Sequence, residues 1–289
     1  MDLSVNIAGV TLKNPIITAS GTCGFGREMN EIFPISELGA LAGKGMTLLP
    51  KEGNDTPRIA ETPSGMLNAV GLQNPGVDYY IEHELPFMKQ AGATVIANIA
   101  GSTIEDYVEI AKRISPTDTD MVEMNISCPN VKNGGLAFGT DAKIITEITR
   151  RVKDVLRQPL IVKLSPNVTS ITDMALAAES AGADAVSLIN TLLGMRIDIK
   201  TGKPILANTF GGLSGPAVLP VAIRMVYQVS HAIKIPVIGM GGIMSAENVL
   251  EFMYAGASAV MVGTASLIDP AAPYKILKDY EKLIESRNM

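Results

Sequence analysis

Six consecutive residues, Asn125-Ile126-Ser127-Cys128-Pro129-Asn130, place a thiol between two amide side chains. A thiolate is a competent proton acceptor, and flanking amides can hydrogen-bond a planar polar ring. The run Met121-Val122-Glu123-Met124 before them reads as an apolar strand. Pro129 ends its ladder, and Gly134, Gly135 and Gly139 follow. The spacing points to proton abstraction at the carboxyl end of a strand. The competing reading is an inert buried cysteine, because free cysteine is among the most buried residue types.

Other residues could serve the same chemistry. Lys163 follows Leu160-Ile161-Val162 and Lys44 follows residues 40–43, both apolar runs. A lysine at such a place needs an anion or strong acceptor unless it snorkels to solvent. Two of them suit an anionic ligand, or a cofactor that gains negative charge. Gly241-Gly242 and Gly263-Thr264 follow the last two strand-like runs, where backbone amides can cradle a phosphate; otherwise they merely turn strand into helix. Asn68 opens Asn68-Ala69-Val70-Gly71-Leu72-Gln73-Asn74-Pro75-Gly76, whose amides around Gly71 could hold a carboxylate. Gly211-Gly212-Leu213-Ser214-Gly215-Pro216 suits backbone contact with a planar or phosphorylated cofactor. His83 and His231 fall inside predicted helices and read as structural. No cluster of metal-ligand residues is visible, so no metal is expected.

These residues need a frame. Apolar runs at 16–19, 40–43, 95–99, 121–127, 160–164, 185–189, 237–240 and 259–262 alternate with segments of helical periodicity. Ser102, Ser170 and Ser245 read as helix caps, and Asp269-Pro270 as a cap followed by proline in the first helical position. Gly182 and Gly256 end helices. Eight strand–helix units predict an α/β fold, a (β/α)8 barrel occupying residues 1–289 as one domain. An N-terminal hairpin around Ala8-Gly9 would cover the barrel's base, and residues 46–78 would form an excursion over its mouth.

The bulk properties narrow the class. With 289 residues, 47% hydrophobic and 18% charged, the chain can bury a large core. A formal charge of −5 without a basic run argues against nucleic-acid binding. Two cysteines cannot form a disulfide framework or a four-cysteine iron–sulfur site. The opening residues do not read as a signal peptide, and no apolar run approaches membrane-spanning length. A cytoplasmic protein without membrane association is expected.

Taken together, these segments resemble class 1 dihydroorotate dehydrogenases, from Ala19-Ser20-Gly21 to Gly263-Thr264 and most specifically at residues 125–130 and 68–76. The resemblance implies an FMN-containing barrel, one FMN per chain, that oxidises (S)-dihydroorotate to orotate in pyrimidine biosynthesis. Cys128 would take the C5 proton, and flavin N5 the hydride from C6. Asn68, Asn125, Asn130, Asn190 and Thr191 would hold the pyrimidine ring. Lys44 and the amides of Val70, Gly71 and Leu72 would hold its carboxylate, with Ala69 in the same loop. Ser20, Gly21, Lys44, Gly45, Asn98, Asn125, Lys163, Ile189, Gly215, Gly241, Gly242, Gly263 and Thr264 would bind FMN. Lys163 would stabilise negative charge on the reduced ring, and residues 131–139 could close over substrate.

By the resemblance, a cysteine base and the expected lack of an amino-terminal membrane-binding extension would set the chain apart from class 2. Asn133-Gly134-Gly135-Leu136-Ala137-Phe138-Gly139 looks like subclass 1B. That subclass implies a homodimer of this chain within a heterotetramer, with two partner subunits carrying FAD and an iron–sulfur cluster and passing electrons to NAD+. Cys23 is given no role. The competing readings are a stand-alone, fumarate-reducing class 1A homodimer, a flavin-free phosphate-binding barrel lyase or isomerase using Lys163, and a non-catalytic scaffold.

Overall fold

The computed structural model describes residues 2–127 and 138–287. Eight parallel strands close into a barrel: Ile16–Thr18, Ala40–Ala42, Val95–Ile99, Met121–Asn125, Leu160–Lys163, Ala185–Leu188, Val237–Met240 and Ala259–Val262. They neighbour one another in sequence order, and the eighth pairs with the first through Val260↔Ile16, Met261↔Ile17 and Val262↔Thr18. This is the expected (β/α)8 architecture. The strand-like runs at 16–19, 40–43, 121–127, 160–164 and 185–189 each extend one or two residues past the ladder, because those last residues already turn into the mouth loops.

Alternation along the strands divides the core into two. Outward residues such as Leu41, Val95, Val122, Val162, Val186 and Val260 pack on the helices. Inward residues Ile17, Ala40, Ile96, Met121, Ile161, Ala185, Ile238 and Ala259 fill the barrel and meet Ile7 and Leu12 of the hairpin Val5–Ile7/Val10–Leu12. Ala8 and Gly9, at φ +52° and +91°, give that hairpin a turn whose twist matches its strands. The base is therefore plugged, and ligands must enter from the carboxyl end.

Helix ends follow local chemistry. Ser170 and Ser245 accept from the amides of Asp173 and Asn248. Gly182 and Gly256 take the left-handed conformation just past two helix ends, at φ +96° and +98°. Two expectations shift. Thr103, not Ser102, caps its helix, forming a reciprocal box with Asp106. Asp269 accepts from the amide of Ala271, and Pro270 lies in the turn before the helix Ala272–Arg287 rather than inside it. His83 lies in the single turn Tyr80–Glu84 and His231 caps the end of Leu219–Ser230. No described helix is long and apolar enough to cross a membrane.

The excursion over the mouth is larger than residues 46–78. Its hairpin, Ile59–Thr62/Gly65–Asn68, joins Gly211–Ser214 and Leu192–Gly194 in a four-stranded antiparallel sheet. The second half comes from an insertion after the sixth barrel strand that sequence periodicity does not reveal.

Candidate active site

Five inward-facing polar side chains lie above the barrel's apolar floor, on the third to sixth strands: Asn98, Glu123, Asn125, Lys163 and Ser187. Asn98 pairs in register with Glu123, and Lys163 with Ser187. Glu123 is completely buried. Its Oε2 accepts from Asn98 Nδ2 at 2.5 Å, and its Oε1 accepts from Ser187 Oγ at 2.7 Å. The Lys163 ammonium lies 3.8 Å from Glu123 Oε2 and donates to Ser20 Oγ at 3.3 Å. Lys163 therefore does not snorkel. Its counter-anion is a protein carboxylate, as a buried charge requires. The sequence reading passed over Glu123 as part of an apolar strand, although it shares the inward parity of Met121 and Asn125.

Asn98 is 1% exposed, and its Oδ1 has no hydrogen-bond partner. A carboxylate only accepts, so the amide must turn its Nδ2 to Glu123 and leave Oδ1 orphaned. Gly45 stands against that oxygen, and a Cβ there would come within 2.6 Å of it.

The rim of the mouth is tied together by amides. Asn125 Oδ1 accepts from Asn190 Nδ2 and from the amide of Ser127, both at 3.1 Å. Asn190 Oδ1 accepts from the amide of Thr191 at 2.8 Å. Thr191 fills the space beside Gly212, where a Cβ would lie 2.0 Å from its Oγ1. Asn68, paired in register with Gly212, donates to that residue's carbonyl at 3.3 Å. Asn68, Asn125, Asn190 and Thr191 thus converge, although the chain brings them from three separate segments.

Past Asn68 the loop turns sharply, with Gly71 at φ +74° and Leu72 at φ +56°. Asn54 accounts for the carbonyls of Ala69 and Val70, and Asn74 for that of Leu72. The amides of Val70, Gly71 and Leu72 have no acceptor among the described residues. The Leu72 side chain lies beside Gly45, the residue after Lys44. Burial, then the charge of Arg58, holds the Lys44 ammonium below the ordinary lysine value. Ser20 and Gly21 link the two lysines, Ser20 touching Lys163 and Gly21 lying near Lys44 Nζ.

The seventh and eighth strands end in a second group of unpaired amides. Those of Gly241, Gly242, Gly263 and Thr264 have no acceptor among the described residues. Gly241 lies against Ile189 and Gly215 against Thr264, whose hydroxyl donates to Ser214 Oγ at 2.9 Å. Gly242 adopts φ +80° with no room for a Cβ beside Leu219. An orphaned acceptor at Asn98 and free amides at the far rim fit a ring system bearing both an N–H and a phosphate. Cys23 is no part of this: its thiol is buried and its pKa pushed up to about 11 by desolvation. Cys128, Asn130, Gly134 and Gly135, with the segment proposed to close over substrate as far as Ala137, lie outside the described residues.

A closed parallel barrel, plugged below and polar above, with its titratable side chains gathered at the strands' carboxyl ends, defines an enzyme of the (β/α)8 class. The family profile described as dihydroorotate dehydrogenase matches residues 2–284, and the chain belongs to that family. It is 59% identical over 284 residues to the protein of Anoxybacillus flavithermus named dihydroorotate dehydrogenase B (NAD(+)), catalytic subunit, covering 98% of this chain and 91% of that one. Proteins of the same name from Alkaliphilus metalliredigens and Geobacillus kaustophilus are 57% and 59% identical. The matches cover 99% and 98% of this chain and 94% and 91% of those proteins.

Proposed function

We propose that this chain is the flavin-bearing catalytic subunit of an NAD+-linked dihydroorotate dehydrogenase. The observation that carries the reading is the amide chain Asn68–Gly212, Thr191–Asn190–Asn125, which ends on the amide of Ser127, the residue before Cys128. It fixes the strand end from which the proposed base emerges and presents fixed polar groups to a planar ring. Fixed groups of this kind hold the reacting carbon against its base without reorganisation during the reaction.

Each residue set has a distinct task. Lys44 and the amides of Val70, Gly71 and Leu72 would bind the substrate carboxylate. Asn68, Asn125, Asn130, Asn190 and Thr191 would orient the pyrimidine ring, and Cys128 would remove the C5 proton. Ser20, Gly21, Gly45, Asn98, Asn125, Lys163 and Ile189 would line the isoalloxazine of FMN, and Gly215, Gly241, Gly242, Gly263 and Thr264 its phosphate end. Bound FMN would supply the two-electron acceptor for the C6 hydride.

The relatives' shared description as a catalytic subunit with NAD+ supports a second subunit as electron outlet. By the resemblance, that subunit carries FAD and an iron–sulfur cluster in a heterotetramer built on a homodimer of this chain. The same description does not favour the stand-alone, fumarate-reducing reading.

Anaerobic titration of the purified chain with dihydroorotate tests the proposal. Stoichiometric bleaching of visible flavin absorbance is expected. A colourless chain that cannot be loaded with FMN would overturn it.

A further inference from the structure

The barrel does not need charge at the height of Glu123. Inward positions on the first, second, seventh and eighth strands are Ile17, Ala40, Ala42, Ile238, Met240, Ala259 and Met261, all buried and apolar. Inward polar side chains of the barrel strands occur on the neighbouring third to sixth strands, where Asn98, Glu123, Lys163 and Ser187 form one connected set. A buried ion pair is a poor source of stability compared with well-packed apolar side chains. Its place beneath two residues of the flavin site therefore calls for another role.

We propose that Glu123 is a positioning residue that orients the Asn98 amide and tempers the Lys163 charge, and so sets the reduction potential of the bound flavin; this rests on the flavin reading above. Two pieces of geometry support it. The carboxylate accepts from Asn98 and thereby dictates that the amide's only free group is an acceptor. The same oxygen faces the Lys163 ammonium, which is nearly sealed from solvent and, among the described residues, otherwise donates to the neutral Ser20 hydroxyl. With Glu123 charged, the pair presents a much weaker positive field than lysine alone. Removing the negative charge would leave Lys163 uncompensated and favour the form of the cofactor that carries more negative charge.

The test compares wild-type and Glu123→Gln chains loaded with FMN, measuring potential, flavin content and melting temperature. Glutamine keeps an acceptor oxygen for Asn98 and removes the charge; its NH2 replaces the oxygen that accepts from Ser187, whose hydroxyl can turn to accept instead. The two-electron equilibrium should shift toward reduction at least tenfold, about 30 mV upward. A purely structural residue would change melting temperature or flavin content and leave the potential in place. An unchanged or lowered potential in a folded, loaded variant overturns the proposal. If Glu123→Gln yields no loaded protein, Ser187→Ala serves instead. Taking one donor from the carboxylate should lower the potential, and no shift there overturns the role of Glu123. A wild-type chain that takes up no FMN removes the flavin reading itself, so the two failures are distinguishable.

Discussion

Asn125 and Asn190, 65 residues apart, share a 3.1 Å hydrogen bond across the barrel mouth that fixes both amides. Asn125 can then turn only its Nδ2 toward a ligand, while Asn190 spends its Oδ1 on Thr191. Removing either partner frees the other to rotate and leaves polar groups unpaired. Asn190→Ala should cost about 1–3 kcal/mol of transition-state binding, roughly five- to 150-fold in kcat/KM for dihydroorotate. The Asn125→Ala/Asn190→Ala double variant should lose much less than the sum of the singles. Additive losses would mean that the two amides act independently.

Gly212 carries a second prediction, because Thr191 occupies the space a side chain would need. Gly212→Ala must push Thr191 or its strand aside, an overpacking cost of about 1–3 kcal/mol. We expect a lower melting temperature together with a raised KM for dihydroorotate. A variant with wild-type KM would separate Thr191 from substrate binding.

How the sequence reveals these positions differs by element. All eight barrel strands are legible because each is a short apolar run buried on both faces. Lys163 and Asn98 stand out as polar residues near the ends of such runs. The insertion after the sixth strand does not: Leu192–Gly194 and Gly211–Ser214 are short and glycine-rich, with no period-two pattern to read. The pairing of Gly211–Ser214 with residues 65–68, and of Leu192–Gly194 with Gly211–Ser214, is a long-range event that only tertiary packing decides. Glu123 could have been found by parity, since counting by two from Asn125 places it inside the barrel. Ser187, its partner on the sixth strand, carries no local signal at all.

Lys44 should make ligand binding sensitive to alkali. Its ammonium is held below the ordinary value of 10.5, by desolvation first and Arg58 second. As pH rises through that depressed value the free site loses its charge, whereas a bound carboxylate favours the protonated form. The affinity for orotate should therefore be level on the acid side and fall by up to about tenfold per pH unit beyond the shifted value. Folding stability moves the other way, rising with pH between the shifted value and 10.5, because the unfolded chain holds more protons there. Lys44→Gln should bind orotate about ten- to a hundredfold more weakly and lose the alkaline inflection. Calorimetric titration across the alkaline range checks both; an inflection that survives the substitution would assign it to another group.

The two cysteines should differ sharply toward a thiol reagent. Cys23 is 9% exposed with its pKa pushed up to about 11, so at pH 8 only about a thousandth of it is thiolate. Its Sγ faces the carbonyl of Ala42 at 3.6 Å, behind the strand rather than in the mouth. The native chain should therefore release at most one equivalent of thiol promptly, and two after denaturation. Cys128→Ala should give none until unfolded, while keeping bound flavin and losing nearly all oxidation of dihydroorotate. Prompt reaction of one thiol in folded Cys128→Ala would show that Cys23 is accessible, and near wild-type turnover in that variant would remove Cys128 from the role of base.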